Sequence, residues 1–64
     1  MRVNGKDLEP ALPMTVKDLI QSTGYRQERV AVELNGKIVP RSEYPNVLLK
    51  NDDSIEIVGF VGGG

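Results

Sequence analysis

The sequence predicts an α+β domain of two layers, a mixed sheet of four to five strands with one main helix packed on one face. Three observations predict it. The pair Asn-Gly occurs twice between short apolar runs, at Asn4-Gly5 and Asn35-Gly36. A single stretch, "TVKDLIQSTGY", has helical spacing, and the last run, "IEIVGFV", alternates as a strand does.

The elements follow in order. "MRV", "NG" and "KDLEP" read as a hairpin, because a two-residue type I′ turn needs positive φ at both positions and Asn-Gly tolerates it. Met1, Val3 and Leu8 are its candidate core residues, and Pro10 and Pro13, which cannot donate to a ladder, end regular pairing. In the helix, Thr15 stands at the N-cap and Asp18 three residues later completes a variant of the capping box. Val16, Leu19 and Ile20 fall on one stripe, and Gly24 supplies a left-handed C-terminal residue. A helix of about two turns does not persist alone in water, so it must dock on the sheet.

After the charged link "RQER", Val30, Val32 and Leu34 alternate with Ala31 and Glu33 as a half-buried strand. The second Asn-Gly turns the chain back through Ile38 and Val39 to Pro40. "SEYPNVLL" reads as an irregular or single-turn helical connection, with Tyr44, Leu48 and Val47 as the residues tucked beneath. "KNDDS" is a turn, and Ile55 and Ile57 share one face of the last strand. Gly59 marks either a bulge or the point where the chain leaves the sheet. Strand one is expected to lie centrally with the final strand alongside. Val3, Leu19, Ile20, Val32, Leu34 and Ile57 are expected to share one core.

Composition narrows the function. With 64 residues the chain supports one domain and one small core, burying only about 60% of its unfolded surface. It has no Cys and no His, so thiolate chemistry, disulfides and the usual general base near neutral pH are all absent. The only adjacent carboxylates, Asp52-Asp53, read as a solvated turn, not as a paired catalytic or metal site. A net charge of −1 with no basic block gives no footprint for nucleic acid or anionic membrane. No apolar run is long enough to span a bilayer, and the opening residues lack the apolar stretch of a signal peptide. The expectation is a soluble cytoplasmic protein that does no chemistry with its own side chains.

Attention falls on the ending, "FVGGG". Residues 1–61 form the expected domain and residues 62–64 a flexible glycine tail. An α-carboxylate next to a residue without a side chain is uncrowded, and Gly62 and Gly63 suit a narrow channel in conformations closed to other residues. Counting from Gly59, the chain reaches roughly 20 Å beyond the sheet at about 3.3–3.6 Å per residue. Phe60 and Val61 are candidates for contact with a partner that grips the tail. The alternative for Phe60 is a last core contact of the strand.

The strand order resembles the β-grasp of ubiquitin-like proteins. The opening "NG" hairpin, "TVKDLI", "VAVELNGKIVPR" and the terminal "FVGGG" together resemble the ThiS family of sulfur carrier proteins, over the whole chain. That resemblance implies a protein acted on by enzymes, not an enzyme. It implies that Gly64 is adenylated by an E1-like enzyme using ATP, then converted to a thiocarboxylate with sulfur from a cysteine desulfurase. Thiazole synthase then takes the sulfur for the thiazole ring of thiamin. Gly62 and Gly63 would be the threaded tail, with no cofactor bound to the chain itself. Two alternatives stand beside it: the small subunit of molybdopterin synthase, with the same tail chemistry, and a plain interaction module whose glycines are incidental.

Overall fold

Both Asn-Gly pairs make the turns that their chemistry favours. Asn4 and Asn35 have φ of 51° and 52°, and Gly5 and Gly36 have φ of 82° and 84°, the positive values that a type I′ turn requires. In the computed structural model, which describes residues 1–9 and 13–59, these turns join β1 (Arg2–Val3) to β2 (Lys6–Asp7) and β3 (Val30–Leu34) to β4 (Lys37–Val39). Between the hairpins lies α1 (Val16–Thr23), and β5 (Ser54–Gly59) closes the described chain. Short 3-10 turns occupy Gln27–Arg29 and Arg41–Glu43, the first within the charged link and the second where a single helical turn was expected. Pro10 lies outside the described residues.

The five strands run in the order β2-β1-β5-β3-β4. β5 is parallel to β1 and antiparallel to β3, with Val32 opposite Ile57 and Val30 opposite Gly59. β1 is therefore an interior strand with the final strand alongside, but the centre of the sheet is β5. The register explains the burial. Ile55 and Ile57 of β5, Val30 and Val32 of β3 and Val39 of β4 point to the helix, meeting Val16, Leu19 and Ile20. Of the expected core, Val3, Leu19, Ile20, Val32 and Ile57 are buried, and Leu34 packs against them half-buried.

Three expectations about burial need correction. Leu8 is exposed. A helix about 10 Å across covers only two or three strands spaced about 4.8 Å apart, so among the described residues no layer reaches Leu8 beside edge strand β2. Leu48 is exposed and Leu49 takes its place in the core. The segment forms a bridge between Leu48 and Thr15, with Val16 N–H donating to Val47 O and Leu49 N–H to Met14 O. Alternation about that bridge turns Leu48 outward. Asp53 is buried rather than solvated: its carboxylate accepts from Lys50 N–H at 2.8 Å and from Asn35 Nδ2 at 2.9 Å. The carboxylate thus ties the turn before β5 to the β3–β4 turn, while Asp52 stays exposed.

Helix α1 is short, and its start is fully accounted for. Thr15 N–H donates to Asp18 Oδ2 and Asp18 N–H to Thr15 Oγ1, the two halves of a capping box. Val16 N–H and Lys17 N–H donate to Val47 O and Tyr44 O. The four N–H groups that a helix start leaves without intrahelical partners are all satisfied. This helix end offers no free donors to a phosphate.

The capping box predicts a pH effect. Asp18 is held below the ordinary carboxylate range, first by the Thr15 backbone N–H and then by the Thr15 side chain. A lowered folded value stabilises the fold above the unfolded carboxylate range, and the gain disappears as pH falls through the folded value. Asp18→Asn is expected to melt below the parent near neutral pH, with the gap closing as pH drops below about 4. Thermal melts across that range check it; a gap independent of pH excludes the charged cap.

Candidate functional site

The expected site residues Phe60, Val61, Gly62, Gly63 and Gly64 lie outside the described residues, so their geometry enters through the strand that leads to them. β5 is built to hold that lead. On one side β3 pairs with it along Val30–Leu34, as far as Gly59. On the other, β1 pairs only with Ser54 and Ile55, because β1 is two residues long. Beyond it the Asn4 side chain replaces a strand: its Oδ1 accepts from Ile57 N–H at 2.7 Å. Asn35 acts likewise at the other end, its Oδ1 accepting from Ser54 N–H at 2.9 Å. Sequence reasoning found both asparagines as turn formers and missed their second use. A turn motif is local, whereas the strand that its side chain reaches is set by the fold.

Gly59 forms no bulge; it pairs in register with Val30. Its φ lies outside the left-handed region occupied by Gly5, Gly24 and Gly36, so what distinguishes this position is the closeness of a neighbour and not backbone strain. A Cβ on Gly59 would stand 3.2 Å from Tyr25 Cε1, with Cζ and Cδ1 next at 3.6 and 3.7 Å. Tyr25 itself is 49% exposed. It follows directly on left-handed Gly24, and its N–H donates to Thr23 Oγ1 at 3.3 Å. Its ring also walls an open groove between α1 and the first 3-10 turn, lined by Lys17, Gln21, Arg26 and Glu28.

Among the described residues, no layer covers the sheet face away from α1. Val58 sits opposite Ala31, and Glu56, Glu33 and Ile38 form the next row across β5, β3 and β4. Ile38 is 67% and Val58 55% exposed. Two glutamates, Glu33 and Glu56, stand directly opposite one another in this row, a like-charge pairing that does not favour the sheet. Among the described residues, no group of three or more His, Cys, Asp or Glu is placed to hold a metal ion. No helix there is long and apolar enough to cross a membrane.

A single helix on a mixed sheet whose last strand runs parallel to the first defines a ubiquitin-like β-grasp domain. The crystal structure of the thiamine biosynthesis protein ThiS from Geobacter metallireducens is similar, with a TM-score of 0.77 at 33% identity, covering 98% of this chain and 96% of that one. The ThiS family model matches residues 1–64, and this chain belongs to that family. It is 40% identical over 65 residues to the sulfur carrier protein ThiS of Bacillus subtilis (strain 168), covering 100% of this chain and 98% of that protein. It is also 42% identical over 62 residues to the thiazole synthase of Paramagnetospirillum magneticum, covering 97% of this chain but 19% of that enzyme. The chain thus spans about a fifth of the first curated relatives it matches.

Proposed function

We propose that this chain is a sulfur carrier that holds sulfur as a thiocarboxylate on Gly64 and donates it to thiazole formation in thiamin biosynthesis. The observation that carries the reading is the end-to-end match to the Bacillus subtilis sulfur carrier protein, which spans the terminal glycines. The chemistry requires little of this chain beyond an accessible carboxylate. A carboxylate oxygen of Gly64 attacks the α-phosphorus of ATP on an E1-like enzyme, and pyrophosphate leaves. The outer sulfur of a persulfide made by a cysteine desulfurase then attacks the acyl carbon, and AMP leaves. A second thiol attacks the inner sulfur of the resulting acyl disulfide, forming a disulfide on the donor side and releasing the thiocarboxylate. The product is a thiocarboxylate, and no cysteine is needed on the carrier.

On this reading ATP belongs to the activating enzyme, the chain binds no cofactor of its own, and it works in the cytoplasm as a co-substrate without activity. Gly62 and Gly63 thread the partner's channel, and Phe60 and Val61 lie where the partner grips. Thiazole synthase as the acceptor is supported by the thiazole synthases that contain a region similar to this chain. The test is intact-mass analysis after incubation with ATP, an activating enzyme and a sulfur donor. The expected result is a gain equal to one oxygen replaced by one sulfur, localised by fragmentation to Gly64. An unchanged mass with a demonstrably active enzyme refutes the carrier role.

A further inference from the structure

Resting on the carrier reading, we infer that Tyr25 is a positioning residue: its ring, lying against Gly59, sets the direction in which the backbone leaves the sheet toward Gly64. Three observations meet at this point. Among the described residues, Gly59 has β3 on one side only, since β1 ends its pairing at Ile55 and Asn4 covers no further than Ile57. The Tyr25 ring lies against Gly59, its Cε1 3.2 Å from where a Cβ would stand. And this aromatic residue is half exposed, so core burial does not account for its placement.

The physical consequence is preorganisation. Backbone paired on one edge alone is less restrained than backbone paired on both, and every further direction open at Gly59 dilutes the carboxylate at a partner's channel. A flat ring against a residue without Cβ blocks the direction toward α1 without needing any hydrogen bond. Left-handed Gly24 and the Tyr25 N–H bond to Thr23 Oγ1 hold the ring's own backbone in place. Removing the ring returns freedom worth about one residue's backbone ordering, which is roughly a fivefold to tenfold loss in productive capture. That loss falls on association of the tail, not on the chemical step.

The experiment is steady-state pyrophosphate exchange with the activating enzyme, using parent, Tyr25→Ala and Tyr25→Phe. In Tyr25→Ala, KM for this chain is expected to rise about fivefold to tenfold, with kcat within about twofold. Tyr25→Phe is expected to restore the parental KM, because the ring and not the hydroxyl lies on Gly59. The contact has its own readout: the ring-current shift of the Gly59 α-protons, present in parent and Tyr25→Phe and lost in Tyr25→Ala. Where Tyr25→Ala melts much lower, Gly59→Ala probes the same contact from the backbone, and its added Cβ is expected to displace the ring and raise KM. Parental KM in folded Tyr25→Ala overturns the positioning role and leaves the carrier reading standing. No exchange with the parent itself overturns the carrier reading, and the positioning role with it.

Discussion

Deleting Gly64 is expected to leave the melting temperature unchanged and to lower adenylate or thiocarboxylate formation by about a hundredfold or more. The deletion draws the carboxylate back by one residue, about 3.3–3.6 Å. Misplacement of about 1 Å in a preorganised site already costs on the order of a hundredfold. The deletion leaves every residue of the core between α1 and the sheet in place, so the fold is expected to lose little. Gly63→Val keeps the length and adds a branched Cβ where the channel is expected to be narrowest; its loss should be smaller but in the same direction. Pyrophosphate exchange with the activating enzyme, run beside a melting curve for each variant, separates reactivity from folding. If both variants stay folded and react like the parent, the glycines have no part in activation and the sulfur-carrier reading is wrong.

What the sequence revealed about the fold was whatever is determined locally. Thr15, Asp18 and Gly24 mark both ends of α1 because capping bonds span three residues, and the structure shows each in the expected role. Both Asn-Gly turns follow from φ preferences alone. Alternation gave the inward faces of β3 and β5, since one face of each strand is buried under α1. Strand order is a different matter. That β5 rather than β1 occupies the centre depends on a pairing across more than fifty residues, on which neither strand's own composition bears. Leu48 and Leu49 exchanged places for a similar reason: two adjacent leucines look alike until the bridge to Thr15 fixes which one turns inward.

The sequence proposed a site by its chemistry, and the residues it named, Phe60 to Gly64, lie outside the described residues. Glycines before a carboxylate, in a chain without His or Cys, direct attention to the tail whatever the fold. The groups that hold β5 are scattered through the sequence: Asn35 and Asp53 at its start, Asn4 at Ile57, and Tyr25 against Gly59. Asp53 appeared as one of two turn carboxylates, because its partners, Lys50 N–H and Asn35 Nδ2, converge only once β5 is in the sheet. Gly59 appeared as a bulge or an exit because the sequence does not say what lies above it; the Tyr25 ring does.

Truncating the core is expected to do the reverse of truncating the tail, destroying stability first. Leu19 on α1 and Val32 on β3 are 2% and 0% exposed and belong to the one cluster that joins helix to sheet. Leu19→Ala or Val32→Ala removes buried apolar volume that a helix of eight residues has little freedom to collapse into, and should cost about 2–4 kcal/mol. For a domain of 64 residues, whose whole stability is of order 0.05–0.15 kcal/mol per residue, that is a large share. Denaturant melts should show a clear drop in midpoint for both. Ile38→Ala and Val58→Ala, on the face away from α1, are the controls and should shift it by less than about 0.5 kcal/mol. Midpoints that do not move for Leu19→Ala and Val32→Ala, or that move equally for the controls, contradict a core placed between α1 and the β3–β5 ladder. Because that same ladder carries Gly59, activity in the core variants should fall only as the folded fraction falls. The tail variants should instead lose activity while every molecule remains folded.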